Sequence, residues 1–145
     1  MDEGVLVPKK YEFIEHTADL GFKVYGASPE KLFAHAAEAF FEALVALESV
    51  KERIEKSIRA EADGLDNLMV SWLTELLYLY DTERLVFKSF QVKRIEDNQL
   101  EANARGEVLD PARHEIKTGI KAVTYHKLYV KERGGVWEAQ VILDI

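Results

Sequence analysis

The amino-acid sequence predicts an α+β fold, a two-layer sandwich in which two helices pack on one face of a mainly antiparallel sheet. Two segments place apolar residues three or four positions apart, as amphipathic helices do. The other apolar segments alternate with polar residues and are joined by short turns, which favours antiparallel strands. We expect one domain spanning residues 1–145, because this length suffices for one core and not for two.

The first two predicted strands flank an unusually polar segment. Tyr11–Ile14 and Phe22–Gly26 have the composition of strands, and Glu15–Gly21 is predicted to be the loop between them. This loop holds an imidazole, a hydroxyl and a carboxylate within four residues, from His16 to Asp19. A capped loop, in which the short polar side chains bond nearby N–H groups, is one interpretation. A functional site is the other.

The two helices have different start signals. Ser28–Glu30 supplies an N-cap serine and a proline at the first helical position, and apolar spacing carries this helix to about Leu47. A half-buried strand is predicted over Glu55–Asp63. The second helix is predicted over Asn67–Tyr80, with Asp66 as its N-cap. Apolar residues cover most of its circumference, so we expect it at the centre of the core.

The remaining strands follow the second helix. Arg84–Ile95 is rich in Val and Phe, Glu96–Gln99 is a turn, and Leu100–Glu107 alternates small or apolar residues with polar ones. Ala112–Thr118, which contains His114, is predicted to be an irregular connection.

The register of the closing hairpin follows from its turn. A two-residue primed turn at Gly134–Gly135 places Lys131 opposite Glu138 and apolar residues opposite each other on the other side. A slip of one residue would destroy both matches. Continued along the strand, this register places His126 opposite Leu143, on the core face.

The same register places the chain end beside a lysine. Asp144 is predicted to oppose Tyr125, and Lys121 lies further along on the same face, just past the end of the partner strand. The α-carboxylate of Ile145 then lies at the end of the strand that carries Lys121. Periodicity alone cannot bring Asp19 to this place. A carboxylate pair with carbonyls or a terminal carboxylate would suit a hard cation such as Ca²⁺ or Mg²⁺.

Composition excludes several classes of function. The net charge of −7 and the scattered basic residues disfavour direct binding of nucleic acid. The absence of cysteine excludes thiol catalysis, zinc–thiolate sites and disulfides. No phosphate loop, nucleophile elbow or dinucleotide fingerprint is present. No apolar run approaches the ~20 residues of a membrane span, and the N-terminus lacks the form of a signal peptide, so we expect a cytoplasmic protein.

Five segments spread over the chain carry a resemblance to a known family. They are Glu15–Asp19, Trp72–Leu77, Gly106–Glu107, Ile120–His126 and Leu143–Ile145. At these segments, and in length and order, the sequence resembles the archeases. The resemblance implies a protein that is not itself an enzyme and that assists the tRNA-splicing RNA ligase. That ligase joins 2′,3′-cyclic-phosphate and 5′-hydroxyl RNA ends, and the accessory protein promotes its guanylylation and multiple turnover.

The resemblance also implies roles for single residues. The family's functional acid in the first motif falls on Asp19, its lysine on Lys121 and its last acid on Asp144, and His16 belongs to the same first motif. The resemblance further implies a divalent ion, Ca²⁺ or alternatively Mg²⁺, held by Asp19, Asp144 and the chain end at Ile145. The net negative charge agrees with an accessory role, because the ligase can hold the RNA while this protein contacts only the ligase.

Two alternatives from other classes remain open. One is a chaperone-like modulator of tRNA-modifying enzymes such as a tRNA methyltransferase. The other is a metal-dependent hydrolase that acts alone.

Overall fold

The computed structural model describes residue 7, residues 9–16 and residues 19–145, without the side chains of Glu15 and His16. The helices and strands of this part of the chain are, in order, β1 Tyr11–His16, β2 Asp19–Gly26, α1 Pro29–Leu44, β3 Ile54–Glu61, α2 Gly64–Glu83, β4 Leu85–Glu96, β5 Gln99–Val108, β6 Ala122–Val123, β7 Tyr129–Arg133 and β8 Val136–Asp144. A short 3-10 helix follows α1 at Leu47–Ser49. The predicted bounds of β3, β4 and β5 agree with these within two residues.

The strands form two antiparallel sheets, and the two helices confirm the predicted α+β class. The larger sheet has the order β1–β2–β8, and β6 and β7 both pair with the other edge of β8. The smaller sheet has the order β3–β5–β4. Helix α1 contacts both β4 and β2, so it links the two sheets, while α2 packs mainly against β3.

The core lies around α2, as its wide apolar surface predicts. Trp72 is fully buried, and its indole Nε1–H donates a hydrogen bond to the carbonyl oxygen of Phe33 on α1, 2.9 Å away. This bond satisfies the one polar atom of the ring, so the side chain is buried without an unpaired donor. Phe41 of α1 contacts the rings of Phe87 and Phe90 on β4, which joins the first helix to the smaller sheet.

The first helix ends earlier than predicted. Helix α1 begins as predicted, with Ser28 Oγ accepting the N–H of Lys31 at 3.1 Å, but it ends at Leu44 and not at Leu47. The next residue, Val45, turns to an extended conformation and pairs with Ile116. Ile116 belongs to the connection between β5 and β6, and helical periodicity in α1 cannot reveal a contact with so distant a segment.

Helix α2 begins earlier than predicted, so Asp66 is not its N-cap. The helix begins at Gly64, and Asp66 lies in its first turn, where its charge is favourable to the helix dipole. The N–H of Gly64 donates to the side-chain oxygen of Asn98, 3.2 Å away in the turn between β4 and β5. A side chain from another element, and not an N-cap within the helix, therefore satisfies the first N–H donor of α2.

The prediction of a loop over Glu15–Gly21 is wrong. The β1–β2 ladder includes Glu15, His16 and residues 19–21, pairing Ile14 with Gly21 and His16 with Asp19, while Thr17 and Ala18 lie outside the described residues. A Cβ at Gly21 would lie 2.7 Å from Cδ1 of Ile142 and 2.9 Å from Cγ1 of Ile14. The absence of a side chain at Gly21 thus leaves room for apolar side chains from both neighbouring strands. The ladder can therefore continue as far as the polar residue Asp19.

The register of the closing hairpin is confirmed near its turn. Lys131 pairs with Glu138, and Gly134 and Gly135 have φ angles of 61° and 85°, as a primed turn requires. Further from the turn the predicted register is wrong, since Ala122 and not Tyr125 opposes Asp144.

The difference arises because residues 125–128 leave the edge of β8, whereas the N–H of Thr124 still donates to the carbonyl oxygen of Ile142 at 3.1 Å. His126 is accordingly exposed and does not lie on the core face opposite Leu143. The alternating pattern cannot show such a departure, because it depends on a turn that hydrogen bonds to β8 hold in place.

Candidate functional site

Asp19 and Asp144 meet at one end of the larger sheet. Asp19 is the first residue of β2, Asp144 is the last of β8, and the two are direct partners in the antiparallel ladder. Directly opposite residues have their side chains on the same face, with Cβ atoms about 4.5–5.5 Å apart. Two carboxylates at this separation repel each other unless a cation lies close to both.

Buried neighbours fix this pairing. The pair Phe22–Val141 and the pair Val24–Ala139 lie in the same ladder, and all four side chains are fully buried. A shift of one residue would turn these side chains to the polar face, so the core holds the register. The juxtaposition of the two acids therefore follows from apolar packing three to five residues away.

Lys121, which precedes β6, and Ile145, which follows β8, adjoin the two carboxylates. The N–H of Lys121 donates to the carbonyl oxygen of Asp144 at 2.7 Å, and Ala122 is the ladder partner of Asp144. The antiparallel register thus places the backbone of Lys121 beside Ile145. Lys121, Asp144 and Ile145 are exposed, so a partner can reach them.

His16 shares the row of the two acids in the backbone register. The row runs across four strands as His16, Asp19, Asp144 and Ala122. The side chain of His16 lies outside the described residues, as do Thr17 and Ala18. A functional role for His16 therefore stays a prediction.

The donor set has the chemistry of a hard-cation site. Among the described residues there is no group of three or more His, Cys, Asp or Glu side chains that could hold a metal ion. The predicted set is different, since it consists of the side chains of Asp19 and Asp144 and the main-chain carboxylate of Ile145. Carboxylate oxygens are the ligands that Ca²⁺ and Mg²⁺ prefer, and exposure leaves space for the water ligands that both ions keep.

A second polar cluster, centred on Glu107, was not predicted from sequence. Glu107 is 4% exposed, and its carboxylate accepts hydrogen bonds from the guanidinium of Arg113, the main-chain N–H of Lys51 at 2.6 Å and the ring of His114 at 2.9 Å. The Arg113 guanidinium, helped by the N–H of Lys51 and by His114, lowers the pKa of Glu107 to about 2 against the opposing effect of burial.

The tautomer of His114 follows from its two partners. Its Nδ1 accepts the main-chain N–H of Asp110 at 2.8 Å, so this nitrogen carries no proton. Its Nε2–H therefore donates to Glu107. Arg113 also donates to the carbonyl oxygen of Ser49 at 2.8 Å, which ties the connection after β5 to the segment before β3. These hydrogen bonds join the connection after β5 to neighbouring segments, so the cluster stabilises the fold.

Strand alternation could not identify this cluster. Glu107 and Arg105 fall on the same polar face of β5, yet Arg105 is exposed and only Glu107 is covered by neighbouring segments. In the sequence, the resemblance at Gly106–Glu107 marks this position without indicating a cluster. A Cβ at Gly106 would lie 1.9 Å from the carbonyl oxygen of Val86, so this position is closed to any other residue.

None of the described helices has the length and hydropathy needed to cross a membrane.

Fold and site define an α+β sandwich protein that carries a pair of carboxylates, one of them exposed, at one end of its larger sheet. The model of the archease protein family matches residues 11–145. The archease of Methanosarcina mazei is 41% identical over 141 residues, covering 94% of this chain and 97% of that protein. The archease of Pyrococcus abyssi is 40% identical over 142 residues, covering 94% and 99%. The chain therefore belongs to the archease family.

Solved structures agree with this assignment. The solution structure of protein 1598 of Methanobacterium thermoautotrophicum is 35% identical, with a TM-score of 0.83, and the match covers 94% of this chain and 99% of that one. The crystal structure of an archease from Thermotoga maritima, described as a possible chaperone, is 23% identical with a TM-score of 0.55, over 91% of this chain and 94% of that one. The second structure shows a shared fold only.

Proposed function

We propose that this protein activates the tRNA-splicing RNA ligase, promoting its guanylylation and multiple turnover during the joining of 2′,3′-cyclic-phosphate and 5′-hydroxyl RNA ends. Membership of the archease family supports this function. The structural observation that carries it is the direct pairing of Asp19 with Asp144, with Lys121 on the adjoining edge. These are the three positions to which the resemblance assigned functional roles.

The arrangement suits action on another protein. Asp144 and Lys121 are exposed at the end of a sheet, where they can enter the active site of a partner. Asp19, Asp144 and the Ile145 carboxylate would hold a divalent ion, Ca²⁺ or alternatively Mg²⁺, and the bound ion would neutralise the negative charge of the acids and of nearby phosphates. Lys121 would contribute a positive charge toward an acidic group of the ligase or toward its nucleotide.

The charge of the chain favours a protein partner over direct contact with RNA. With a net charge of −7, the surface as a whole repels a phosphate backbone. In the proposed complex the ligase holds the RNA and the nucleotide. A cytoplasmic location is part of this proposal, and fractionation of cells would test it.

The test is a reconstituted ligation. The ligase, GTP and RNA with the two required ends are mixed with and without this protein, and guanylylated ligase and joined RNA per ligase are measured. We expect many turnovers only with the protein, and we expect Asp19→Asn, Asp144→Asn and Lys121→Ala to abolish or strongly reduce activation. Asp66→Asn, an exposed acid in the first turn of α2, is the matched control and should activate normally.

The protein alone should not turn over RNA, GTP or generic phosphoesters, because the sequence offers neither a nucleotide-binding loop nor an activated nucleophile. Turnover that follows the protein through purification and disappears with Asp19→Asn or Asp144→Asn would contradict the accessory function.

A chaperone-like modulator of tRNA-modifying enzymes, such as a tRNA methyltransferase, is the second candidate. The description of the Thermotoga maritima archease as a possible chaperone favours it. The same preparation, added to a tRNA methyltransferase at equal concentration, would then protect its activity or change its product pattern. An effect on the methyltransferase without any effect on the ligase would select this alternative.

A further inference from the structure

An excursion of the chain interrupts the edge of the larger sheet beside the carboxylate pair. Tyr129 lies seven positions after Ala122, whereas their partners on β8, Gln140 and Asp144, are four positions apart. Three extra residues therefore leave the sheet between β6 and β7. A continuous strand would have kept the ladder hydrogen bonds that this excursion gives up.

Hydrogen bonds hold the excursion in one conformation. Thr124 Oγ1 donates to the carbonyl oxygen of Ile142 at 2.9 Å and accepts the N–H of His126 at 3.2 Å. At the other end, the side-chain amide of Gln140 donates to the carbonyl oxygen of Lys127 at 3.0 Å. Both ends are thus tied to β8, so the turn between them is ordered before any partner arrives.

The excursion also carries backbone strain. Tyr125 to Leu128 form a turn closed by the Leu128 N–H and the Tyr125 carbonyl oxygen at 3.3 Å, and Lys127, its third residue, has a φ of 52°. Turns with a positive φ at this position favour glycine there. Strain of this kind persists where the surrounding structure imposes it, and it is concentrated at functional sites.

The turn displays a large aromatic side chain. Tyr125 is 63% exposed, and it lies next to β6, whose residue Ala122 pairs with Asp144. Tyrosine is among the residues that most often dominate the binding energy of protein interfaces, because its ring fills a pocket of the partner at a low cost in conformational entropy.

We propose that residues 125–128 form a docking turn, with the Tyr125 ring as the anchor that inserts into a pocket of the protein partner. This inference rests on the proposed function, so the partner is the RNA ligase. The docking turn sets the distance and orientation at which Asp19, Asp144 and Lys121 enter the partner's site. A stacked RNA base would be the other occupant of such a ring, but the adjacent carboxylate pair and the net charge of −7 oppose a phosphate backbone.

The experiment compares two equally exposed tyrosines. Tyr125→Ala removes the anchor, and Tyr78→Ala removes a side chain that is 58% exposed on α2. Each variant is titrated into the ligase with GTP and RNA, and the concentration that gives half-maximal activation is measured. We expect Tyr125→Ala to raise this concentration by about 30-fold, the effect of losing one anchor residue, with the same maximal activation. Tyr78→Ala should stay within about twofold of the wild type.

Further variants and measurements separate the outcomes. Tyr125→Phe keeps the ring and should recover most of the wild-type half-activating concentration, and thermal melting verifies that each variant is folded. If the wild type activates the ligase and Tyr125→Ala has an unchanged half-activating concentration, or only a reduced maximum, the docking turn is contradicted. A loss of RNA binding by Tyr125→Ala without the ligase would also contradict it. Failure of the wild type to activate the ligase would instead overturn the proposed function.

Discussion

Asp19 lies directly opposite Asp144 in the antiparallel ladder between β2 and β8, although the two residues come from opposite ends of the chain. The backbone of Lys121 is bonded to the backbone of Asp144 from the next strand. The end of the sheet thus holds two acids whose mutual repulsion any bound cation would relieve.

The carboxylate pair predicts ion-dependent stability. Ca²⁺ or Mg²⁺ should raise the melting temperature of the wild type by mass action, and Asp19→Asn or Asp144→Asn should abolish this rise. Without added ion, each variant should be as stable as the wild type or more stable by up to about 1 kcal/mol, because like charges directly opposite each other are destabilising. Thermal melts with chelator, Ca²⁺ and Mg²⁺ measure both effects. Variants that keep the full rise would show that the ion binds elsewhere.

The buried Glu107 predicts a component of stability that acid removes. Its pKa is lowered from 4.5 to about 2 on folding, mainly by Arg113, so the unfolded chain binds more protons between these values. Stability therefore rises with pH in this window, is fully present above about 4.5 and is lost as the pH falls toward 2.

Glu107→Gln isolates this component. Urea unfolding between pH 2 and pH 7 should show a shallower dependence for Glu107→Gln than for the wild type, together with a lower stability near neutral pH. Glu96→Gln is the control, because its side chain is 62% exposed and its removal should leave the slope almost unchanged. Equal slopes for the wild type and Glu107→Gln would refute the assignment.

The positive φ of Lys127 predicts that glycine stabilises the docking turn. Lys127→Gly should raise the free energy of unfolding by up to about 1 kcal/mol, since glycine adopts this conformation without steric cost. Lys127→Ala keeps the strain and should bring no gain, so it is the matched control. Chemical unfolding of the three proteins checks this, and a gain for alanine equal to that for glycine would mean that backbone strain is not the cause.

The hairpin register predicts unequal costs on the two faces of the sheet. Leu143→Ala should cost roughly 2–5 kcal/mol, because Leu143 is fully buried. Lys131→Glu should cost up to about 1 kcal/mol by placing two acids opposite each other at Glu138. Equal losses in urea unfolding would contradict the assignment of Leu143 and Glu138 to opposite faces of β8.

Local signals in the sequence determined much of the fold. The start of α1 at Ser28 and Pro29 and the turn at Gly134–Gly135 depend on residues within a few positions of each other, and both predictions are confirmed. The pairing of Lys131 with Glu138 follows from that turn in the same way. The family, too, is evident from the sequence, because the five segments that resemble the archeases are spread over the whole chain.

Contacts between distant parts of the chain decided the rest. The meeting of Asp19 with Asp144 depends on β2 pairing with β8, a pairing held by buried side chains and invisible to periodicity. The burial of Glu107 depends on segments that cover only one end of β5. The turn after Thr124 depends on hydrogen bonds between Thr124 and Ile142 and between Gln140 and Lys127. Alternation in sequence shows which face a residue occupies, whereas only the tertiary structure determines what lies opposite it and what covers it.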